Sequence, residues 1–166
     1  VGYGELGRAV ASAATALGLK ILISDRPESS PRTGRLAFDE VVRKSDYLSL
    51  HCPLTQTNQH MINFNVLSAM KRSAFLINTA RGGLVDSEAL ITALNSGEIA
   101  GAALDVLDVE PAMNDEPLIT DIDNLLVTPH NAWGAIESRQ RLIEQMRENI
   151  EGFLADSCLL YTSDAA

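Results

Sequence analysis

Short apolar runs of strand length alternate with helix-like segments along this sequence. The runs lie at residues 20–24, 47–50, 74–77, 100–106 and 125–127, and the helix-like segments at 6–17, 38–44, 65–70, 86–95 and 135–154, with Asn65 and Asp86 as expected caps. The runs are apolar throughout, which is typical of strands covered by helices on both faces. The alternation therefore predicts an α/β protein with a doubly wound parallel sheet.

A glycine pattern, Gly2-x-Gly4-x-x-Gly7, opens the first predicted helix. In a strand–turn–helix context such glycines allow a tight turn, close approach of a pyrophosphate and close packing of helix on strand. Asp25 lies at the end of the next predicted strand, 18 residues beyond Gly7. This spacing is close to the roughly 20 residues expected between the glycine turn and a carboxylate that binds a ribose diol. Asp25 favours NAD over NADP because it would repel a 2′-phosphate, and Arg26 softens that preference slightly. A bare glycine turn beside a surface aspartate is the alternative.

The fold class predicted from these patterns is a Rossmann-type doubly wound parallel sheet that is truncated at its first strand. The truncation is expected because Val1 has the place of the last residue of that strand and no initiator methionine is present.

Composition limits the class of function. A formal net charge of −9 without any Lys/Arg run argues against a nucleic-acid surface. No apolar stretch approaches the roughly 18 residues of a membrane span, and the sequence shows no basic n-region of the kind that begins a secretion signal. Cys52 and Cys158 form no metal-type spacing, and Cys52 is expected to be a small buried residue. We expect no metal and a reducing, cytoplasmic location.

An arginine follows the third apolar run, in Asn78-Thr79-Ala80-Arg81-Gly82. Its planar guanidinium matches a carboxylate bidentately, so Arg81 is a candidate for binding an anionic substrate. A surface arginine in a turn is the alternative.

A carboxylate and an imidazole follow the last two apolar runs. Asp105 lies late in the fourth run, Glu110 lies just past it, and His130 ends the fifth in Thr128-Pro129-His130. A carboxylate beside an imidazole raises its pKa and fixes its tautomer. Together with the cation of Arg81, this set is suited to reducing a charged carbonyl compound, although His130 alone would more often be structural. Trp133 is either a wall of the substrate pocket or a packing aromatic.

These motifs, together with His51-Cys52-Pro53, resemble in order the D-isomer-specific 2-hydroxyacid dehydrogenases over about residues 1–154. His130-Asn131-Ala132-Trp133 is most similar to the glycerate dehydrogenase (hydroxypyruvate reductase) branch. The resemblance implies NAD-dependent reduction of a short 2-keto acid, hydroxypyruvate or glyoxylate. Arg81 would bind the substrate carboxylate, His130 would give the proton, and Glu110 would keep His130 protonated to a higher pH.

The resemblance also implies which residues hold NAD. They are Gly2, Gly4, Glu5, Leu6, Gly7, Asp25, Pro53, Asn58, Thr79, Ala80 and Asp105. Asp105 would hold the nicotinamide carboxamide beside Thr79 and Ala80. Pro53 would lie beside the adenosine, although from the residues alone it could equally be a strand terminus.

Members of this family also carry a substrate domain that the present sequence lacks. We therefore expect a dinucleotide-binding domain at 1–154, a non-native or disordered tail at 155–166, and a fragment that binds NAD weakly without turnover. The full-length protein is expected to be a homodimer. A dinucleotide-sensing protein, similar to the corepressors of the same family, is the alternative.

Overall fold

Within the described residues, four parallel strands form a sheet, and each of them overlaps one of the apolar runs. The computed structural model describes residues 1–27, 29–113, 116–119 and 121–155. These residues form two compact units, Val1–Pro129 and a second unit that starts at His130. The first unit contains α1 (Glu5–Ala16), α2 (Phe38–Lys44), β1 (Tyr47–Leu50), α3 (Phe64–Ala69), β2 (Phe75–Asn78), a 3-10 turn (Gly82–Leu84), α4 (Ser87–Asn95), β3 (Gly101–Leu104) and β4 (Leu125–Val127). The second unit contains α5 (Ile136–Leu154).

The sheet has the order β1-β2-β3-β4, and every neighbouring pair is parallel. Leu48, Leu50, Leu76 and Leu104 are almost fully buried in it. Parallel strands place all their carboxyl ends at one edge, which is where ligands bind in open α/β sheets. The prediction of a Rossmann-type parallel α/β sheet is confirmed.

Backbone bonds place Val1 alongside β1. The Val1 carbonyl accepts a hydrogen bond from the His51 N–H at 2.7 Å, and the Val1 ammonium donates to the Ser49 carbonyl at 2.7 Å. Val1 thus has the hydrogen bonds of a residue in a strand next to β1, as its expected place at the end of a strand requires.

The predicted strand at residues 20–24 is wrong. Only Ser24 forms a bridge there, with Leu36, supported by hydrogen bonds from Asp25 N–H to Leu36 O and from Leu36 N–H to Ile23 O. A strand needs a neighbour along its whole length, and among the described residues this apolar run has a bridge partner only at its end.

Two helices show how local capping sets their starts. The Asp86 side chain accepts from the Ala89 N–H and caps α4, as predicted. The cap of α3 is Asn63 and not Asn65, because Asn63 is extended and accepts from the Val66 N–H. The helix predicted at 65–70 therefore starts at Phe64.

The described part of the chain includes no helix that is both long and apolar enough to cross a membrane.

Candidate cofactor and active site

The glycine turn before α1 has the geometry that a dinucleotide requires. Gly2 has a φ of +86°, and a Cβ atom built on it would lie 2.5 Å from the carbonyl carbon of His51. A Cβ on Gly7 would lie 2.2 Å from the Gly2 oxygen, so α1 packs directly on the turn. A Cβ on Gly4 would meet nothing within 4 Å. The turn is therefore tight on its protein side and open at Gly4, where a pyrophosphate would lie.

The N-terminus of α1 adds positive potential at this opening. Gly4 is the N-cap and has no side chain, so no side chain caps the helix, and Glu5 and Leu6 form the first turn. The first N–H groups of a helix have no intrahelical acceptor and attract anions. The residues present thus fit the diphosphate of a dinucleotide, to which Glu5 and Leu6 would offer backbone N–H groups.

Asp25, the expected ribose ligand, is buried with its side chain 3% exposed. The Arg32 guanidinium donates to Asp25 Oδ1 from Nη2 at 2.7 Å and to Oδ2 from Nε at 2.9 Å. The Arg32 side-chain hydrogen bond, with further help from the backbone N–H groups of Arg32 and Arg26, holds the pKa of Asp25 well below its usual range. Sequence reasoning missed Arg32, which lies seven residues beyond Asp25 in a loop without any periodic signal.

A pocket of about 60 Å³ lies at the carboxyl ends of β2, β3 and β4. Thr79, Asp105 and Thr128 line it. Asp105 is 4% exposed, and its Oδ1 accepts a hydrogen bond from the Thr128 hydroxyl. The structure thus brings Thr79 and Asp105, both expected at the nicotinamide, into one pocket. The Thr128 hydroxyl orients the carboxylate there, and the sequence did not assign it that role.

The loop that carries Arg81 is held by a buried amide. Asn78 is fully buried at the end of β2; its Nδ2 donates to the Arg81 carbonyl at 2.8 Å, and its Oδ1 accepts from the Ala80 N–H at 3.0 Å. The Arg81 side chain is exposed, and its Nη1 donates to the Ala80 carbonyl at 2.7 Å. Arg81 therefore presents its cation to solvent just beyond the sheet edge, from a loop that Asn78 braces.

Glu110 lies in the loop after β3, next to the loop of Arg81. It is exposed, and its Oε1 accepts from the Leu107 N–H at 2.8 Å. A Cβ on Gly82 would lie 1.9 Å from the carbonyl carbon of Leu107, so the two loops meet backbone to backbone. The structure therefore brings the segments of two predicted catalytic residues, Arg81 and Glu110, into contact.

His130 is the first residue of the second unit. Its φ is +51°, in the left-handed region that residues other than glycine seldom adopt. The Trp133 indole Nε1 donates to the His130 carbonyl at 2.8 Å. Trp133 thus holds the backbone of His130, a role that neither sequence interpretation of Trp133 included. The pairing of Glu110 with His130 stays a prediction.

His51 and Cys52, which follow β1, are partly buried, and burial favours the neutral form of each side chain. Burial lowers the pKa of half-buried His51, whose Nε2 lies 2.9 Å from the Ser49 Oγ. Burial raises the pKa of the Cys52 thiol, which favours its neutral form, as expected for a packing cysteine. Cys158 lies outside the described residues.

Asn58 braces the loop that starts at Pro53. Its Nδ2 donates to the Pro53 carbonyl at 2.8 Å, and its Oδ1 accepts from the Thr55 N–H at 2.7 Å. The expected place of Pro53 and Asn58 beside the adenosine stays a prediction. No group of ligating side chains that could hold a metal occurs within residues 1–27, 29–113, 116–119 and 121–155.

A parallel α/β sheet with an open glycine turn and a pocket at its carboxyl edge defines a dinucleotide-binding domain. Over residues 1–132 the sequence matches the NAD binding domain of the D-isomer specific 2-hydroxyacid dehydrogenases. The chain belongs to this family.

Curated relatives agree with that assignment. The chain is 46% identical to glycerate dehydrogenase of Methylorubrum extorquens over 93% of its own length and 49% of that protein. It is 41% identical to glyoxylate reductase of Korarchaeum cryptofilum, over 92% of the chain and 47% of that protein. The chain thus spans about half the length of these relatives.

A solved structure shows the same fold. The D-isomer specific 2-hydroxyacid dehydrogenase of Lactobacillus delbrueckii ssp. bulgaricus, in its NAD-complexed form, superposes with a TM-score of 0.80 at 33% identity, over 96% of this chain and 53% of that one.

Proposed function

We propose that the complete protein reduces a short 2-keto acid, hydroxypyruvate or glyoxylate, to the D-2-hydroxy acid with NADH. This chain supplies the dinucleotide-binding domain, over residues 1–154. Glycerate dehydrogenase and glyoxylate reductase among the relatives support these two substrates.

The observation that carries the proposal is the exposed guanidinium of Arg81 on a loop braced by Asn78, beyond the sheet edge that also bears the pocket of Thr79 and Asp105. A fixed cation beside a nicotinamide site selects a substrate that has a carboxylate next to its carbonyl. Arg81 binds that carboxylate and polarises the carbonyl.

The proposed chemistry balances one hydride and one proton. NADH, when bound, supplies the hydride to the carbonyl carbon. His130 gives its proton to the carbonyl oxygen and takes it back in the reverse reaction, and Glu110 stabilises the protonated imidazole.

The proposal also assigns the residues that contact the dinucleotide. Gly2, Gly4 and Gly7 shape the turn, and the backbone N–H groups of Glu5 and Leu6 bind the pyrophosphate. The remaining proposed contacts are Asp25 with the ribose, Pro53 and Asn58 with the adenosine, and Thr79, Ala80 and Asp105 with the nicotinamide.

Steady-state kinetics test this proposal in the complete protein. Hydroxypyruvate and glyoxylate are compared with hydroxyacetone, which keeps a carbonyl but lacks the carboxylate that Arg81 would bind. We expect both keto acids to be reduced and hydroxyacetone to be inert. Equal reduction of hydroxyacetone would contradict the role of Arg81, and inactivity towards both keto acids would contradict the substrate class.

The chain alone is proposed to bind NAD weakly and to turn over essentially nothing, because it spans about half of its relatives. Hydroxypyruvate reduction by the 166-residue chain itself would contradict that proposal.

We further propose that the complete protein is a homodimer in the cytoplasm. Light scattering on the purified complete protein tests the first part, and cell fractionation tests the second. A monomer, or recovery outside the cytoplasmic fraction, would contradict the respective part.

A further inference from the structure

Four hydrogen-bond donors fill the carboxylate of Asp25: the backbone N–H groups of Arg26 and Arg32, and the Nε and Nη2 groups of the Arg32 guanidinium. Its Oδ1 accepts from the Arg26 N–H at 3.0 Å and from Arg32 Nη2 and Nε at 2.7 and 3.2 Å. Its Oδ2 accepts from the Arg32 N–H and from Arg32 Nε, both at 2.9 Å. A carboxylate offers about four lone-pair positions. While the Arg32 guanidinium is bound, no position on Asp25 is left for a ribose diol.

The guanidinium of Arg32 is the part of this arrangement that can leave. The Arg32 side chain is 62% exposed, whereas the Asp25 side chain is 3% exposed. The Arg32 guanidinium reaches the carboxylate from solvent, so it can return to water when the hydroxyls of a ribose diol supply hydrogen-bond donors in its place. The two backbone N–H groups of Arg26 and Arg32 would still hold the carboxylate in place, which leaves lone pairs free for two hydroxyls.

The Arg32 guanidinium also changes the electrostatic interaction between this site and a 2′-phosphate. Bound to Asp25, it neutralises the carboxylate that would repel a 2′-phosphate. Released, it remains beside the carboxylate as a planar fork that matches a phosphate bidentately. Arg32 therefore opposes a ribose diol and favours a 2′-phosphate by the same contact.

We propose that Arg32 is a specificity-determining residue that lowers the preference of this domain for NADH over NADPH by covering Asp25. This inference rests on the proposed binding of the dinucleotide at the glycine turn. It adds a residue to that site and predicts measurable binding of both cofactors.

Fluorescence titrations of the 166-residue chain with NADH and with NADPH test the proposal, with circular dichroism as a check on folding. In Arg32→Gln we expect tighter binding of NADH and weaker binding of NADPH. The ratio of the two dissociation constants should change at least about tenfold, which corresponds to roughly 1.4 kcal/mol. Arg32→Lys keeps the charge but lacks the fork, and we expect an intermediate ratio.

Arg35→Gln is the matched control, because it removes the same charge from the same segment without a side-chain bond to Asp25. The ratio should stay near that of the unaltered chain. An unchanged ratio in Arg32→Gln, or an equal change in Arg35→Gln, would overturn the role of Arg32.

A second measurement needs no variant. Hydrogen exchange at Arg32 Nε, followed by NMR, should be slow in the free chain and faster when NADH saturates it, because the diol displaces the guanidinium. Slow exchange in both states would overturn the proposal. If the unaltered chain and the complete protein bind neither dinucleotide, the proposed function fails and this inference fails with it.

Discussion

Gly82 and Leu107 lie in backbone contact, and a Cβ atom on Gly82 would be 1.9 Å from both the carbonyl carbon and the carbonyl oxygen of Leu107. No side chain fits between them. Gly82 follows Arg81, and the Leu107 N–H donates to the carboxylate of Glu110. The positions of both predicted catalytic side chains therefore depend on one contact that only glycine permits.

Gly82→Ala should separate these two loops. We expect a loss of about 1–3 kcal/mol in the free energy of unfolding, the usual result of forcing atoms into a filled space. We also expect a strong loss of kcat/KM for hydroxypyruvate in the complete protein. Urea unfolding and steady-state kinetics measure the two effects.

Gly97→Ala is the control for this substitution. Gly97 has a φ of +69°, and nothing lies within 4 Å of the position its Cβ would take. Strain of about 1–2 kcal/mol is expected there without any change in kinetics. Unchanged kcat/KM in Gly82→Ala would contradict the contact's role in positioning Arg81 and Glu110.

Thr128→Val should destabilise the buried carboxylate of Asp105. The variant keeps the shape of the side chain but removes the hydroxyl that donates to Asp105 Oδ1. We expect a loss of about 1–3 kcal/mol in unfolding free energy and weaker NADH binding, whereas Thr128→Ser should be close to the unaltered chain. Urea unfolding and NADH titration measure both.

The control for Thr128→Val is Thr92→Val, since the Thr92 hydroxyl donates to the Glu88 carbonyl on an exposed helix face. Its effect should stay within about 0.5 kcal/mol. If the two threonine variants behave alike, Thr128 does not orient Asp105.

The sheet was largely predictable from the sequence because its strands are short apolar runs, and such runs are typical of strands that are buried between helices. The runs at 47–50 and 125–127 coincide with β1 and β4. The run at 20–24 has the same composition, yet it forms only a bridge, because a ladder depends on a neighbouring strand that local sequence does not reveal. The cap predicted at Asn65 was wrong, because the extended backbone at Asn63, two residues earlier, lets its side chain accept from the Val66 N–H.

The candidate site was predictable where the spacing of a local motif determines the backbone geometry. Gly2, Gly4 and Gly7 each have the surroundings that their spacing predicted. The contact of Arg32 with Asp25 was not predictable, because a loop arginine has no periodicity that links it to a carboxylate seven residues earlier. The pairing of Glu110 with His130 stays a prediction.

Trp133→Phe should loosen the backbone at His130. The variant loses the indole N–H that donates to the His130 carbonyl, and His130 has a φ of +51° that needs support from its surroundings. A lost hydrogen bond of about 0.5–1.5 kcal/mol corresponds to a decrease in kcat of up to about tenfold, with the dissociation constant of NADH unchanged. Unaltered kcat would contradict this positioning role.

The stability of the chain should fall below about pH 6.5 partly because of His51. Burial lowers the pKa of His51, so below that pH the unfolded chain binds a proton that the folded chain does not. The contribution is lost as the pH falls from about 6.5 towards the lowered pKa, and it is constant above this range. Urea midpoints between pH 8 and pH 5 should therefore drop more for the unaltered chain than for His51→Gln. If the difference in urea midpoint between the unaltered chain and His51→Gln were the same at every pH, this role of His51 would be contradicted.

The central claim is that His130 is the proton donor of a reductase, and His130→Ala in the complete protein tests it most directly. The rate of hydroxypyruvate reduction and the dissociation constant of NADH are measured on the same preparation. The account predicts a decrease in kcat of about 10²–10⁴-fold, the usual size of a lost general acid, with NADH binding essentially unchanged. Reduction at a rate close to that of the unaltered protein would contradict it.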